Sequence, residues 1–211
     1  MQWNQEGQRI IFGEVSEVWR FRPGADTDGG RVKLNLGCSD RKIKGYIGVD
    51  IAPPADQIVD LAGPWPWPDS SVDHVLAYDV CEHIGDLSVF QANFEFGYLR
   101  PDEPESVIIP TGRIWFMNEL HRVLKPGARA IIETPNAARG VGYFQDPTHV
   151  SPWCMSTFRY FERDSFAHAR LSKSYGITAA FRIVKIREEE SPAEGFGERV
   201  WKIHAELEAV K

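Results

Sequence analysis

From Val32 onward, short apolar runs alternate with polar, turn-rich or helical stretches, and their spacing limits what the chain can fold into. Strands are predicted near Val32–Leu36, Tyr46–Asp50, Gln57–Val59, His74–Ala77 and Ala128–Glu133. Before the last of these, Ile114, Met117, Leu120, His121 and Leu124 recur at helical spacing. Lys125-Pro-Gly127 then stops that helix and returns the chain to the sheet. Strands interleaved with helical or turn-rich segments predict a mostly parallel sheet. Toward the end, Phe181–Ile186 reads as one strand. Trp201, Ile203, Ala205 and Leu207 alternate with Lys202, His204, Glu206 and Glu208, the period-two pattern of a half-buried second strand. Ser191-Pro-Ala-Glu-Gly-Phe-Gly197 joins the two as an antiparallel hairpin.

Within this frame, Val32-Lys-Leu-Asn-Leu-Gly37-Cys-Ser-Asp followed by Gly45-Tyr-Ile-Gly-Val-Asp50-Ile51 reads as strand, glycine turn, second strand and terminal carboxylate. That is a nucleoside-binding half-fold. Asp50 can accept hydrogen bonds from both hydroxyls of an adenosine ribose, and Gly37 lets the first turn approach a ligand without a Cβ in the way. After Gly37 come Cys38, Ser39 and Asp40, so the three-glycine loop that cradles a pyrophosphate is missing. A dinucleotide, and with it a nicotinamide-dependent oxidoreductase, is disfavoured. S-adenosylmethionine has the ribose and adenine without the phosphates and fits better.

Leu34-Asn-Leu-Gly-Cys38, Gly45-Tyr-Ile-Gly-Val-Asp-Ile51, Asp60-Leu61, Trp67-Pro-Asp-Ser-Ser-Val-Asp73, Glu82-His83 and Glu119-Leu-His-Arg-Val-Leu-Lys-Pro-Gly127 occur in that order. Together they resemble the motifs of class I S-adenosylmethionine-dependent methyltransferases over about Val32 to Asn136. The resemblance implies a Rossmann-like, doubly wound α/β fold: a mostly parallel seven-stranded sheet ending in an antiparallel hairpin, with helices on both faces. It also implies S-adenosylmethionine as cofactor and S-adenosylhomocysteine as product. Leu36, Gly37 and Cys38 would run beside the methionine part, Asp50 and Ile51 at the ribose, and Asp60 and Leu61 at the adenine. Asp79 and Val80 fall where sulfonium and acceptor meet. The lesser reading of Asp60 is a cap on the turn before Gly63-Pro64, while Asp79 could equally cap a following helix. Trp65 and Trp67 either wall the adenine or pack. Only a dozen residues separate Gly37 from Asp50, too few for the family's usual connecting helix, which weakens carry-over to Ser39 and Asp40.

Composition narrows the classes. The 211 residues are 43% hydrophobic and 26% charged, as in an ordinary globular domain. A net charge of −6 argues against a broad hold on nucleic acid, which needs a basic face. Three scattered cysteines, Cys38, Cys81 and Cys154, have neither zinc-site nor disulfide spacing, and suggest reduced thiols in a cytoplasmic protein. No signal peptide or membrane span is expected. Residues 1–30 read as an N-terminal flap and linker and 31–211 as the domain, with an inserted loop at 85–110 and a substrate lid at 139–165.

Methyl transfer from a sulfonium needs the acceptor held in line in a water-poor pocket, and a base only where a proton must leave. The candidate segment is Tyr143-Phe-Gln-Asp146-Pro-Thr-His149-Val, placed after the fifth strand. His149 can take a proton near neutral pH with Asp146 orienting it, or can fix the loop through the backbone. His83 faces the same choice between reaching substrate and holding the turn with Glu82. No metal site is expected from the ligand spacing. Tyr143, Phe144, Trp153, Phe158, Tyr160 and Phe161 offer a lid face for an apolar or sugar acceptor, or core packing for at least half of them. Tyr78-Asp-Val-Cys81 differs from the Asp/Asn-Pro-Pro-aromatic tetrapeptide of base amino-methyltransferases, so the expected acceptor is a small molecule or saccharide. The alternatives are a cofactor-binding interaction module and an RNA methyltransferase.

Overall fold

A computed structural model of the chain describes residues 30–85, 112–192 and 199–211. The expected N-terminal flap and the inserted loop lie almost wholly outside these residues. The chain runs β1 (Lys33–Leu36), β2 (Ile47–Asp50), β3 (Gln57–Ile58), β4 (Val72–Tyr78), α1 (Gly112–Val123), β5 (Leu124–Pro135), the short α2 (Val141–Phe144), α3 (Phe166–Tyr175), β6 (Phe181–Pro192) and β7 (Arg199–Ala209). Single 3-10 turns at Cys81–His83, Ala137–Arg139 and Met155–Tyr160 punctuate it.

One seven-stranded sheet results, in the order β3-β2-β1-β4-β5-β7-β6. The first five strands pair in parallel, while β7 lies antiparallel to both β5 and β6. This is the mostly parallel sheet with a C-terminal antiparallel hairpin that the pattern predicts. Leu124-Lys-Pro-Gly127 belongs to β5, so the strand begins where α1 ends, with no intervening loop.

Register explains the core. Leu34 and Leu36 face Ile47 and Val49 on one side and Val75 and Ala77 on the other, so all six project from the same face and all are buried. Ala130 and Ile132 continue this apolar face through β5, and Ala205 and Leu207 through β7. Phe116, Met117 and Leu120 of α1, with Ile177, Ala179 and Phe181 around the α3–β6 junction, join the same hydrophobic cluster. The connections β1–β2 and β2–β3 contain no helix, being too short for one. The opposite face of the sheet presents Tyr46 edge-on to His74, and the ion pairs Arg129–Glu206 and His204–Glu133.

Trp65 and Trp67 are core residues. Each is under 5% exposed, and Trp65 meets Trp67 and Phe116 edge-on, with its Nε1–H donated to the carbonyl of Leu61. That loop is tied to α1 by one guanidinium: Arg122 donates to both Glu119 oxygens, to Asp69, and to the carbonyls of Trp65 and Trp67. Glu119 also accepts the Trp65 N–H at 2.8 Å. Arg122→Ala strips the cation from a buried carboxylate and two carbonyls of their donor. It is expected to cost about 2 kcal/mol, less than a fully buried pair because Arg122 is part-exposed. Urea unfolding checks this, and an unchanged midpoint would mean that aromatic packing and the Trp65–Glu119 bond seat the loop without the guanidinium.

Candidate functional site

The turn after β1 is shaped by two close approaches. Gly37 has φ +64°, and a Cβ there would lie 2.6 Å from Val80 Cβ, so a neighbouring side chain already requires glycine before any ligand arrives. Ser39 also has positive φ, and its N–H donates to Asp50 Oδ2 at 2.8 Å. Asp50 Oδ1 accepts the N–H of Ile51 at 2.7 Å. The carboxylate ending β2 thus pins the turn ending β1, a task that a glycine-rich loop performs through its own conformation. Each oxygen keeps a free lone pair. Leu36 is fully buried and Ile51 largely exposed. Cys38 is buried beneath the turn, and burial, followed by the Asp50 charge, raises its thiol pKa, which disfavours the thiolate. Asp60 is exposed and caps its own turn by accepting the Ala62 N–H at 2.9 Å, while Leu61 is buried.

At the carboxyl end of β4, Asp79 has φ +51°. Its Oδ2 accepts from Lys202 Nζ at 2.6 Å, and the same ammonium reaches Glu133 at 2.8 Å. The Cys81–His83 turn that follows takes no side-chain cap, so Asp79 is half of an ion pair rather than a helix cap. Lys202 escaped the sequence reading, although the β7 pattern marks it as a polar-face residue. Register places it opposite Pro135, the last residue of β5.

Glu82 is 0% exposed, and burial raises its carboxyl pKa to about 7. Thr134 Oγ1 donates to its Oε2 at 3.0 Å, while Oε1 is buried with no hydrogen-bond partner. Beside it, His149 Nδ1 lies 2.7 Å from the carbonyl of Tyr143, which can only accept. Nδ1 therefore carries the proton, and the lone pair of the neutral ring is on Nε2. That nitrogen is 3.8 Å from Asp146 Oδ2 and 4.0 Å from Glu82 Oε1. Two hydrogen bonds from Thr148, backbone and hydroxyl, hold the Asp146 carboxyl below its ordinary pKa. His83 is exposed, with Nδ1 near the Thr148 carbonyl and hydroxyl and its ring 4.7 Å from that of His149. Asp79, Glu82, His83, Asp146, His149 and Lys202 all line one cavity of about 400 Å³, a size ordinary for small-molecule sites. Gly37, Asp50 and Asp60 lie outside its lining.

The segment expected as a substrate lid is tied to its neighbours by main-chain and indole hydrogen bonds. Val150 and Ser151 donate their N–H groups to the Glu82 carbonyl, Trp153 Nε1–H donates to Cys81, and Ala137 N–H donates to Trp153. Tyr143, Trp153, Phe158 and Phe161 are buried packing residues; Phe144 and Tyr160 remain exposed.

No protein-family profile and no curated protein sequence matches the chain. Solved structures do. A candidate methyltransferase from Bacillus halodurans is 12% identical with TM-score 0.50, covering 89% of this chain and 96% of that one. The YcgJ protein of Bacillus subtilis is 12% identical with TM-score 0.50, covering 86% and 92%. A SAM dependent methyltransferase from Archaeoglobus fulgidus is 17% identical with TM-score 0.46, covering 83% and 86%. The fold is that of the class I S-adenosylmethionine-dependent methyltransferases. No helix among the described residues is long and apolar enough to cross a membrane.

Burial lowers the pKa of Lys202, but its bonds to Asp79 and Glu133 outweigh that and raise it overall. A raised pKa contributes stability in full below the unfolded-state value of about 10.4 and loses it as pH climbs through the higher folded-state value. Lys202→Met is therefore expected to lower stability by about 2 to 3 kcal/mol. The deficit should be equal at pH 7 and pH 9 and should shrink as pH passes beyond about 10.4. Urea midpoints at four pH values test this; a pH-independent deficit would point to lost side-chain packing instead.

Proposed function

We propose that the protein transfers a methyl group from S-adenosylmethionine to an oxygen or nitrogen of a small-molecule or saccharide acceptor in the cytoplasm. The observation that carries this is a cavity at the carboxyl ends of β4 and β5 lined by Asp79, Asp146, His83 and His149 together with Arg41 of the connection that follows the Gly37 turn. In sheets of this kind ligands bind at those strand ends.

The residues fit the cofactor. Asp50 is held by two backbone donors with a lone pair spare on each oxygen, which suits a ribose diol. Leu36, Gly37 and Cys38 offer main-chain groups to the methionine part, and Ile51 stands beside the ribose carboxylate. Asp60, with the Leu61 N–H, suits an adenine edge. Asp79 and Val80 border the reacting end. When bound, the cofactor supplies an activated methyl group, so the protein's share is to position the acceptor and exclude water. His149 Nε2, 3.8 and 4.0 Å from two carboxylates, is the group placed to take up the proton that an acceptor hydroxyl or amine gives up. Asp146 and His83 set its surroundings.

Calorimetric titration with S-adenosylhomocysteine, with NADH in parallel, tests the cofactor. Binding of the first alone is expected, and preference for NADH would refute the proposal. Asp50→Asn retains a carbonyl acceptor for one of the two backbone donors and is expected to weaken S-adenosylhomocysteine at least tenfold with little loss of stability. Unchanged affinity would leave Asp50 a purely structural residue. Once a metabolite screen supplies an acceptor, His149→Ala should lower kcat by about 10²-fold or more while leaving cofactor affinity intact. A stable protein that binds cofactor yet methylates nothing in the screen would favour the interaction module.

A further inference from the structure

Around His149, acceptor atoms of three side chains converge with no hydrogen bond joining them among the described residues. His149 Nε2 is bare in the neutral ring because Nδ1–H is committed to Tyr143. Glu82 Oε1 is sealed from water and unpartnered. Asp146 Oδ2 lies 3.8 Å from the same nitrogen, and Glu82, His83 and His149 each present one ligand atom within 4.8 Å of the others. The separations of 3.8 and 4.0 Å from His149 Nε2 are too long for hydrogen bonds, so a proton on that nitrogen reaches neither carboxylate well. A cation bound at roughly 2.0–2.2 Å from each ligand atom bridges gaps of this size, each atom moving inward by less than about 1 Å.

We propose that Glu82, His83 and His149, with Asp146 as fourth ligand, form a binding site for one divalent transition-metal cation of the zinc or manganese class. Two imidazoles with two carboxylates disfavour magnesium and calcium, which prefer all-oxygen sets. The outer shell is in place. Tyr143 fixes the His149 ring, the Thr148 carbonyl lies 3.3 Å from His83 Nδ1, Thr134 donates to the second oxygen of Glu82, and Thr148 donates twice to the second oxygen of Asp146. Such partners orient metal ligands and fix their tautomers. Glu82-His83 and Asp146/His149 are remote in sequence and are brought together by the pinning of Val150 and Ser151 to Glu82 and of Trp153 to Cys81, which is why ligand spacing gave no sign of the site. The cation faces the cavity, where it would hold an acceptor oxygen and promote loss of its proton. That last use rests on the methyl-transfer proposal; metal binding itself does not.

The full-length chain, stripped with chelator, is titrated calorimetrically with ZnCl2 and with MnCl2, and its bound metal is counted by elemental analysis. One equivalent of at least one metal is expected. Glu82→Gln, close in shape, and His149→Ala should each weaken it by about 100-fold or more, with His168→Ala, remote from the cluster, as the control. Absence of stoichiometric binding in the wild-type chain, or binding that both ligand variants leave intact, overturns the site. Thermal melting confirms that the variants fold, and Asp146→Asn offers a third variant on an exposed side chain. S-adenosylhomocysteine titrated into the same samples separates the two proposals: cofactor binding without metal binding removes the cation alone, and metal binding without cofactor binding removes methyl transfer alone.

Discussion

Burying the Glu82 carboxylate is the constraint around which the open end of the sheet is arranged. An ionised carboxylate with an unpartnered oxygen in a water-free site loses several kcal/mol of solvation, and the rise of its pKa to about 7 expresses that cost. A fold keeps such a group only where its surroundings are otherwise well satisfied. Here the turn after β4 places the residue, Thr134 at the end of β5 supplies one donor, and the main chain of Val150 and Ser151 closes on the Glu82 carbonyl. The wall carrying Asp146 and His149 is thereby fixed relative to His83. Three segments distant in sequence share one acidic residue as their meeting point.

The sheet was legible because its signals are local and repeated. Period-two alternation in β7 correctly assigned Ile203, Ala205 and Leu207 to the core and Lys202, His204, Glu206 and Glu208 to the polar face. Side-chain partnerships across the sheet were not legible. Lys202 matters because register sets it against the end of β5, within reach of both Asp79 and Glu133. Nothing in its own neighbourhood of sequence reveals that. Glu82 was visible only as part of a motif; its burial depends on a segment that returns after the fifth strand. Aromatic residues left two readings open, ligand wall or core, and Trp65, Trp67, Trp153 and Phe158 take the second, their area consumed by packing.

Short connections among β1, β2 and β3 bear on the cofactor end as well. With no helix following Gly37, no helix N-terminus is available there to bind an anion or stiffen the turn. The structure substitutes a side chain: Asp50 holds Ser39 in its positive-φ conformation and holds Ile51 beside itself. Position and orientation of that carboxylate are thus set before a ligand arrives, which reduces the ordering cost of binding. It also couples the geometry of the turn to the same atoms that are suited to a ribose.

Charge at the two ends is handled differently, and the difference bears on chemistry. Asp79 is neutralised within the protein by Lys202, which also serves Glu133, so it acts as a rigid floor rather than a free anion available to a sulfonium. Among the described residues Glu82 and Asp146 have no lysine or arginine ion pair; His149 Nε2 lies 4.0 and 3.8 Å from their carboxylates. Electron density concentrated around a bare nitrogen demands positive charge, supplied by a proton at His149 or by a bound metal ion. Either source draws the proton from an acceptor placed in the cavity, the first by basicity and the second by Lewis acidity. The two differ in what they select. A proton acceptor takes any hydroxyl or amine that fits, whereas a cation prefers acceptors with a second donor atom able to chelate it, such as adjacent hydroxyls of a saccharide.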